Sequence, residues 1–597
     1  MRKHYLLYAS AAMVALASCS REAKEVITPE MSTSYAKISI SMASAPGTRA
    51  DWGEFDSGSY DESKMALEDI HLVFYDDAGF VVGSGEHIAT ALDEGFSITA
   101  TGTEFAGVSD DNAVVFKLDL YEGAPLPTKV AAFINVDPMA FNLDKISDIM
   151  TNVSDVYKTE KGYIMTSAGY YDAEGEYVIA AKLNSDGIFT TISQAADAGA
   201  TKAADIYVER LAAKVKIDND AEGVDQDNQK FIVKDKDGAE LSVKFSETFN
   251  WGLTGTAKEM YMLKKPFGYE TDDSEIDNSW MYDSDKCRSY WAEGANWEKG
   301  YDAYQPEEGE PLLNYLSYNG VVENGKPNGE TDYALEHTYD YSVLKDAPLF
   351  NVNVPSTSAI VIGTYEIKKG DTPITFEDEG DNGFYLLYAG ADNGKSVYTL
   401  YSRAELIDYL VNGKTIYDRD GEEVSDFSLA KVGTQFKLVA KECQVDPEDD
   451  NDKTYTTLYT DNEQKNEVAK TNARHYVGSM GYFFVPVKHH LASVKKHQVE
   501  SDESGEDAVT EPVTGYYGVV RNHSYVLSIT SIQGLAAPLD DKYTSEGDDV
   551  DPEDPNYPEG GDPDEPIIPD PDDLKEAYIQ ASIKVLSWHV VSQKVEL

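Results

Sequence analysis

Apolar and polar residues alternate with period two along Tyr578–Val585. Ile579, Ala581, Ile583 and Val585 take one parity, and Tyr578, Gln580, Ser582 and Lys584 take the other. That spacing puts the two sets on opposite faces of a β-strand. Leu586, Trp588 and Val590 carry the apolar set onto the other parity, which predicts a bulge, or a crossing between two sheets, after Val585. Just upstream, residues 540–573 are acidic and proline-rich. Such a run buries too little apolar surface to fold. The strand is therefore expected to be held away from the globular body on an extended leash.

Tyr35–Met42 carries nearly the same pattern. Both octapeptides begin with Tyr, place apolar residues second, fourth, sixth and eighth, and have Ser fifth and Ile sixth. The apolar set of the earlier copy is Ala36, Ile38, Ile40 and Met42. A groove that holds one should hold the other. Chance is the competing reading, since alternating strands are common. The functional reading is replacement, with the earlier copy filling a groove until a protease removes it and the later copy of another molecule entering. Ala45-Pro46-Gly47-Thr48-Arg49-Ala50 follows the earlier copy. Pro and Gly make it a turn-prone loop of the kind that is nicked. Arg49 is the single basic residue between Lys37 and Lys64, so a trypsin-like protease would cut between Arg49 and Ala50. The alternative is an ordinary loop arginine.

Between these ends the pattern is that of a β-sandwich with little helix. Ile70–Tyr75 is a strand, Asp76–Gly79 a turn and Phe80–Val82 the return. Val114–Leu120 and Lys129–Val136 are further strands, and one strong strand is expected over Ile206–Ile217. The polar stretch Asp218–Asn228 follows it, and the boundary between two domains is expected in this region. A hairpin turning at Lys236-Asp237-Gly238 joins the halves of Lys230–Phe245. An irregular insert rich in Trp, Tyr and Asp runs from Trp251 to Tyr341. Strands resume at Ala359–Tyr365, Phe436–Val439, Tyr482–Val487 and Tyr525–Ile532. Ser402 and Glu405 form a capping box that opens one short helix, with Leu406, Tyr409 and Leu410 as its apolar face and Gly413 as its stop.

Composition narrows the function. A chain of 597 residues is long enough for two or more domains. A formal charge of −57 argues against nucleic acid and against charge-driven adhesion to anionic lipid. Residues 1–18 read as a signal peptide, with Arg2 and Lys3 before an apolar core. Leu16-Ala17-Ser18-Cys19 is a lipobox whose Cys19 thiol would take the lipid; a plain signal peptide with an incidental Cys is the alternative. No other apolar run approaches the length of a membrane helix, so contact with the membrane is expected only through the lipid of the precursor. Cys287 and Cys443 either pair or remain separate buried thiols.

GxSxG, HExxH, a phosphate loop and a CxxC pair are all lacking. With 107 acidic residues, carboxylate pairs arise by chance and none marks a catalytic site. Asp218–Gly223 is like the start of a calcium loop, but its twelfth position is Gln229 and a turn is the better reading. His489, His490 and His497 stand among Lys488, Lys495 and Lys496. Like charge repels a cation, so a solvated basic patch is expected there rather than a metal site. Glu448–Asp452 reads most simply as a solvated loop, with weak calcium affinity as the alternative. The aromatic insert suits either β-core tyrosines or a glycan or partner surface, with the core as the default. No cofactor and no metal is expected.

These pieces together resemble the fimbrillins, the type V pilus subunits of Bacteroidetes, and among them the shaft subunits of short fimbriae. The residues that carry the resemblance are the Leu16–Cys19 lipobox, Gly47-Thr48-Arg49-Ala50, Val208-Glu209-Arg210 with Ala213-Lys214-Val215, and Gly518–Tyr525. The most specific is the ending, Ile583–Val591 closing at Val595-Glu596-Leu597. The insert resembles nothing in that family. The resemblance implies an all-β chain of two transthyretin-like β-sandwich domains. It also implies a lipoprotein carried to the outer membrane surface, cut after an Arg and polymerised by donor-strand exchange into a fimbria. Its partners would be identical subunits, anchor and tip fimbrial proteins, and a host or bacterial surface receptor. The expected organisation is a signal peptide at 1–18, a lipidated propeptide with a removable strand at 19–49, and sandwich domains at 50–207 and 208–539. An acidic leash at 540–573 and a donor strand at 574–597 complete it. The competing function is a monomeric surface lipoprotein that binds glycan or a host protein.

Overall fold

Val130–Ile134 are buried without a break, where a half-exposed strand would alternate. Such a run means that both faces of the strand are covered. The cause lies in how the sheets stack. In a computed structural model the described residues are 31–42, 70–87, 114–121, 127–136, 146, 150–152, 163–171, 176–191, 194, 199–219, 223–265, 267, 279–283, 288–297, 299, 312–339, 356–376, 383–418, 421–425, 427–432, 435–440, 458–460, 470–490, 494–498, 508–512, 514–538 and 589–596.

The first half contributes β1 (Met31–Met42), β2 (Ile70–Tyr75), β3 (Val81–His87), β4 (Val114–Tyr121), β5 (Lys129–Ile134), β6 (Met150–Asn152), β7 (Met165–Ser167), β8 (Ile188–Phe189) and β9 (Ala204–Arg210). Their main sheet runs β5-β2-β3-β4-β1-β9-β7, and β7 also pairs with β5, so the ladder closes on itself. Alternate residues point inward: Leu72 and Phe74, Val130, Ala132 and Ile134, and Ile206 and Val208 share one core. The opposite parity, Val73, Tyr75, Ala131 and Phe133, packs against Ala257, Met260, Met262 and Leu263 of the insert. That second contact is why β5 is apolar at successive positions. The β2–β3 turn forms as expected. Gly79 adopts φ +83°, and its amide donates to the Asp76 carbonyl. A side chain there would be strained, and its Cβ would sit 2.8 Å from Ile146.

The second half contributes β10 (Ala213–Asn219), β11 (Phe231–Lys234), β12 (Glu240–Phe245), β13 (Asn250–Thr254), β14 (Glu259–Tyr261), β15 (Thr331–Ala334), β16 (Ser358–Lys369), β17 (Phe384–Asp392), β18 (Lys395–Tyr401), helix α1 (Arg403–Val411), β19 (Met480–Pro486), β20 (His523–Ser531) and β21 (His589–Glu596). A small sheet, β15-β10-β20-β21, faces a large one built on β16, β13, β12, β11, β18, β17 and β19. Their inner faces share one core: Val215 and Ile217 of β10 and Tyr525, Leu527 and Ile529 of β20 meet Val243, Trp251, Val361 and Val485. This is a sandwich in an all-β chain.

Three expectations need correcting. Ile206–Ile217 is two strands, β9 and β10, in different sheets. Leu211 and Ala212 carry the chain from one sheet to the other, and both are buried, so the apolar pattern runs on unbroken through the crossing. Helix α1 has its capping box, with Glu405 N donating to Ser402 Oγ and Ser402 N to Glu405 Oε2. Leu406 and Leu410 are buried, but Tyr409 is 50% exposed; its ring meets Tyr401 at the rim. Asn412, in the left-handed region, is the C-cap ahead of Gly413. Third, His489 is buried, not part of a solvated patch, and His490 stacks on Trp280 at 4.2 Å.

Candidate functional site

Two strand positions and the junction between them form the site. The first position is held by β1. Residues Met31–Ile38 run antiparallel to β4, from Met31 opposite Tyr121 to Ile38 opposite Val114. Ile38–Met42 run parallel to β9, from Ile38 opposite Ala204 to Met42 opposite Val208. Tyr35 and Ala36 also face β8. Ala36, Ile38, Ile40 and Met42 therefore all lie on a strand interior to its sheet. The wall it faces on β9 includes the buried Ile206 and Val208.

The second position is an edge. β21 runs parallel to β20, from His523 opposite His589, through Ser524 opposite Val590, to Ile529 opposite Val595. Among the described residues it is the outermost strand of its sheet. The leash was expected to hold the C-terminal stretch away from the body, but residues 589–596 lie on it. Open N–H and C=O groups on the edge of β20 are satisfied by this pairing. Of the expected donor residues, only Val590 falls within a described strand. Ile579, Ala581, Ile583, Val585, Leu586 and Trp588 lie outside the described residues, as do Cys19, Arg49, Ala50, Cys287 and Cys443.

The junction lies where β9 ends and β20 begins. Arg210 Nη1 donates to Asn522 Oδ1 at 3.0 Å, Arg288 Nη2 donates to the Asn522 carbonyl at 2.7 Å, and the Asn522 amide donates to the Ala212 carbonyl. Arg521 makes a two-pronged pair with Glu336, Nε to Oε2 at 3.1 Å and Nη2 to Oε1 at 2.9 Å. Its Nη1 reaches the Met262 carbonyl at 2.9 Å. Lys264 Nζ donates to Glu209 Oε2 at 2.9 Å and to the Ser289 carbonyl at 2.8 Å. All these charged side chains are buried. Burial pushes the Lys264 amine below its ordinary range, and the Glu209 carboxylate opposes that shift.

The insert is the piece that joins them. β14 pairs with β6 of the first half, and Thr166 Oγ1 donates to the Met262 carbonyl. From the other side, the carbonyls of Tyr261 and Met262 accept from the Arg521 guanidinium. Trp280, Trp291 and Trp297 form a buried cluster with Tyr290 and Val520, and Trp251 lies in the sandwich core. These tryptophans are core, not an exposed platform for sugar. Lys264, Glu336 and Asn522 had no assigned role from sequence. The available signals were the charged pair Glu209-Arg210 and the polar triplet Arg521-Asn522-His523, each beside apolar residues. Among the described residues no group of three or more His, Cys, Asp or Glu could hold a metal, and no helix is long and apolar enough to cross a membrane.

Residues 474–594 match the family described as major fimbrial subunit protein type IV, fimbrillin, C-terminal. That span holds β19, β20 and most of β21. Comparison with curated proteins gives no match. Among solved structures, a candidate cell adhesion protein from Parabacteroides distasonis is 11% identical, with 94% of this chain and 99% of that one covered and a TM-score of 0.28. A fimbrial assembly protein from the same organism is 12% identical, covering 58% of this chain and 85% of its own, at a TM-score of 0.22. A candidate cell adhesion protein from Bacteroides eggerthii is 9% identical, with 59% and 79% covered and a TM-score of 0.22. TM-scores this low establish no shared architecture. Over residues 474–594, then, the chain is similar to the C-terminal part of the fimbrillins.

Proposed function

We propose that this chain is a structural shaft subunit of a surface fimbria, not an enzyme. It is exported as a lipoprotein on Cys19, reaches the outer membrane surface, and is cut between Arg49 and Ala50. The cut releases 19–49 with β1, and a second copy donates its C-terminal strand into the vacancy. Domains at 50–207 and 208–539 form the body, with the leash at 540–573 and the donor at 574–597. Identical subunits are its partners along the fibre; anchor and tip proteins, and a receptor on a host or bacterial surface, are its partners at the ends.

The observation that carries this reading is the position of β1. It is interior to a closed ladder, paired on both edges, and its apolar pattern recurs at Tyr578–Val585. Superposing the octapeptides sets Ile579, Ala581, Ile583 and Val585 where Ala36, Ile38, Ile40 and Met42 stand. In that register Ala581, Ile583 and Val585 face Ala204, Ile206 and Val208. Burying each larger aliphatic side chain is worth roughly 1.5–3 kcal/mol, and each ladder hydrogen bond adds about 0.5–1.5 kcal/mol. Main-chain bonds supply affinity and alternate side chains supply register, the logic of strand addition to a sheet.

Deleting Lys575–Leu597 tests it. The truncated subunit is expected to fold, to be cut at Arg49, to accept a donor and cap a fibre, and to add no further subunit. A deletion that leaves only unfolded, degraded protein would assign the strand to its own core and end the proposal.

A further inference from the structure

We propose that β21 is a self-cap. In the unassembled subunit residues 589–596 hold the edge of their own β20, and the C-terminal strand is donated only after this pairing opens. The inference rests on the strand-exchange reading above and adds a step to it that proteolysis does not perform.

Three observations carry it. First, β20 has β10 on one side and β21 on the other. Without β21 its second edge would present a row of open backbone groups, a template for unwanted pairing with other chains. The sequence −57 charge opposes association in general, but an open edge is a local invitation that charge does not close. Second, the two strand positions differ in how they can be vacated. β1 has β4 along one edge and β8 and β9 along the other, so its departure opens ladders on both edges at once, and a cut is the natural trigger. Among the described residues β21 is held along one edge only, so it can peel away and return without disturbing another described ladder. Third, the tether is long. Thirty-five residues, 539 to 573, separate the strand Ala537–Pro538 from the donor stretch 574–597 that ends in β21. At up to about 3.3 Å per residue they reach both the home subunit and a neighbour.

These facts set up a competition. A tethered strand meets its own edge at an effective concentration in the millimolar range for a short flexible connection, lower for a longer one. A free subunit therefore caps itself in preference to capping others at low concentration. Assembly wins when the donor gains more in another subunit than it gives up at home. The vacancy left by β1 supplies that gain, because Tyr578–Val585 has a place there only after cleavage. On this reading an uncut neighbour offers nothing better than home, and the cap stays shut.

The register names the experiment. Ser528 stands opposite Lys594, and Val526 opposite Ser592. In a background of Cys287→Ser and Cys443→Ser, Ser528→Cys with Lys594→Cys is oxidised before cleavage at Arg49, and fibre growth onto wild-type seeds is followed by light scattering. The expected result is an intrachain bond in the free subunit, growth at least tenfold slower when oxidised, and recovery on adding reductant. Val526→Cys with Ser592→Cys serves as the second pair. Failure of both pairs to form an intrachain bond in folded subunits overturns the self-cap. So does growth at an unchanged rate when either pair is cross-linked. A background protein that is cut but makes no fibres sinks the strand-exchange reading instead, and the two failures are read from different samples.

Discussion

Arg210 and Asn522 are 312 residues apart in the chain, yet Arg210 Nη1 lies 3.0 Å from Asn522 Oδ1 inside the protein. Arg210 ends β9, the strand beside β1, and Asn522 precedes β20, the strand beside β21. The contact therefore ties the walls of the two strand positions together. Asn522 has φ +58°, a left-handed conformation that Asn tolerates better than most residues. Its Oδ1, its carbonyl and its backbone N–H are engaged by Arg210, Arg288 and Ala212 in turn.

Asn522→Ala is expected to destabilise on two counts. The left-handed backbone costs a Cβ residue roughly 1–2 kcal/mol, and a buried donor on Arg210 loses its acceptor at about 1–3 kcal/mol. Asn522→Gly removes the first cost and keeps the second. Urea unfolding of the three proteins should rank them wild type, Gly, Ala; equal midpoints for Gly and Ala would show that backbone conformation contributes nothing here.

Lys264 and Glu209 are both fully buried. Removing one partner strands the other, and such breaks typically cost about 3–5 kcal/mol. Lys264→Met alone should therefore be severely destabilised. Lys264→Met with Glu209→Met should recover most of the loss, because apolar replacement of a buried pair is often neutral. A double variant no more stable than the single would mean that the site needs the hydrogen bond from Lys264 to the Ser289 carbonyl more than it needs charge balance.

Acid should weaken the fold through two histidines. Burial pushes His337 down to about 4, and His489 lies well below the ordinary histidine range for the same reason, with His490 adding to the shift. The surroundings of His489 suit the neutral ring: Val520 N donates to the Tyr525 hydroxyl, which is then free to donate to His489 Nδ1. The unfolded chain takes up protons near pH 6.5, where the folded chain does not. Stability is thus intact above about pH 6.5 and falls as pH drops toward 4, by up to about 1.4 kcal/mol per pH unit for each histidine. His337→Gln should flatten the fall in melting temperature between pH 6.5 and 4 relative to wild type. Parallel curves would remove His337 from the account.

What sequence conveyed depended on the range of the interaction. Hairpins turn on adjacent residues, so Asp76–Gly79 and Lys236–Gly238 were legible, as was the Ser402–Glu405 cap. The break at Leu211–Ala212 was not, because a chain crossing between two buried sheets keeps its apolar alternation. His489 was misread for a related reason: a neighbouring lysine predicts solvent only when the next layer is unknown, and here Trp280 and Trp291 cover it. The insert gave no period at all. Its order comes from partners far along the chain, Glu209 and Arg521, which local pattern cannot name. The β1 register could be anticipated in kind, since period two fixes faces, but its two-sided pairing required the sheet.

Ile583→Asp isolates the donor from the acceptor. Under the superposed octapeptides Ile583 takes the place of Ile40, opposite Ile206, whose side chain is buried in the first core. An aspartate there would bring an unpaired charge against an apolar wall, a cost that ordinarily prevents insertion. The substitution lies outside both β1 and β21, so the precursor should fold, be cut at Arg49 and keep an intact acceptor. Mixed with wild-type subunits, it should therefore enter fibres at one end only and stop growth there, shortening them in proportion to its share of the mixture. Gln580→Asp, on the opposite parity, is the control and should leave fibre length near wild type. Length distributions by electron microscopy decide the matter. Fibres of normal length with Ile583→Asp would mean that this face does not enter the groove. Equal shortening by Ile583→Asp and Gln580→Asp would mean that charge alone, not the face it occupies, limits donation.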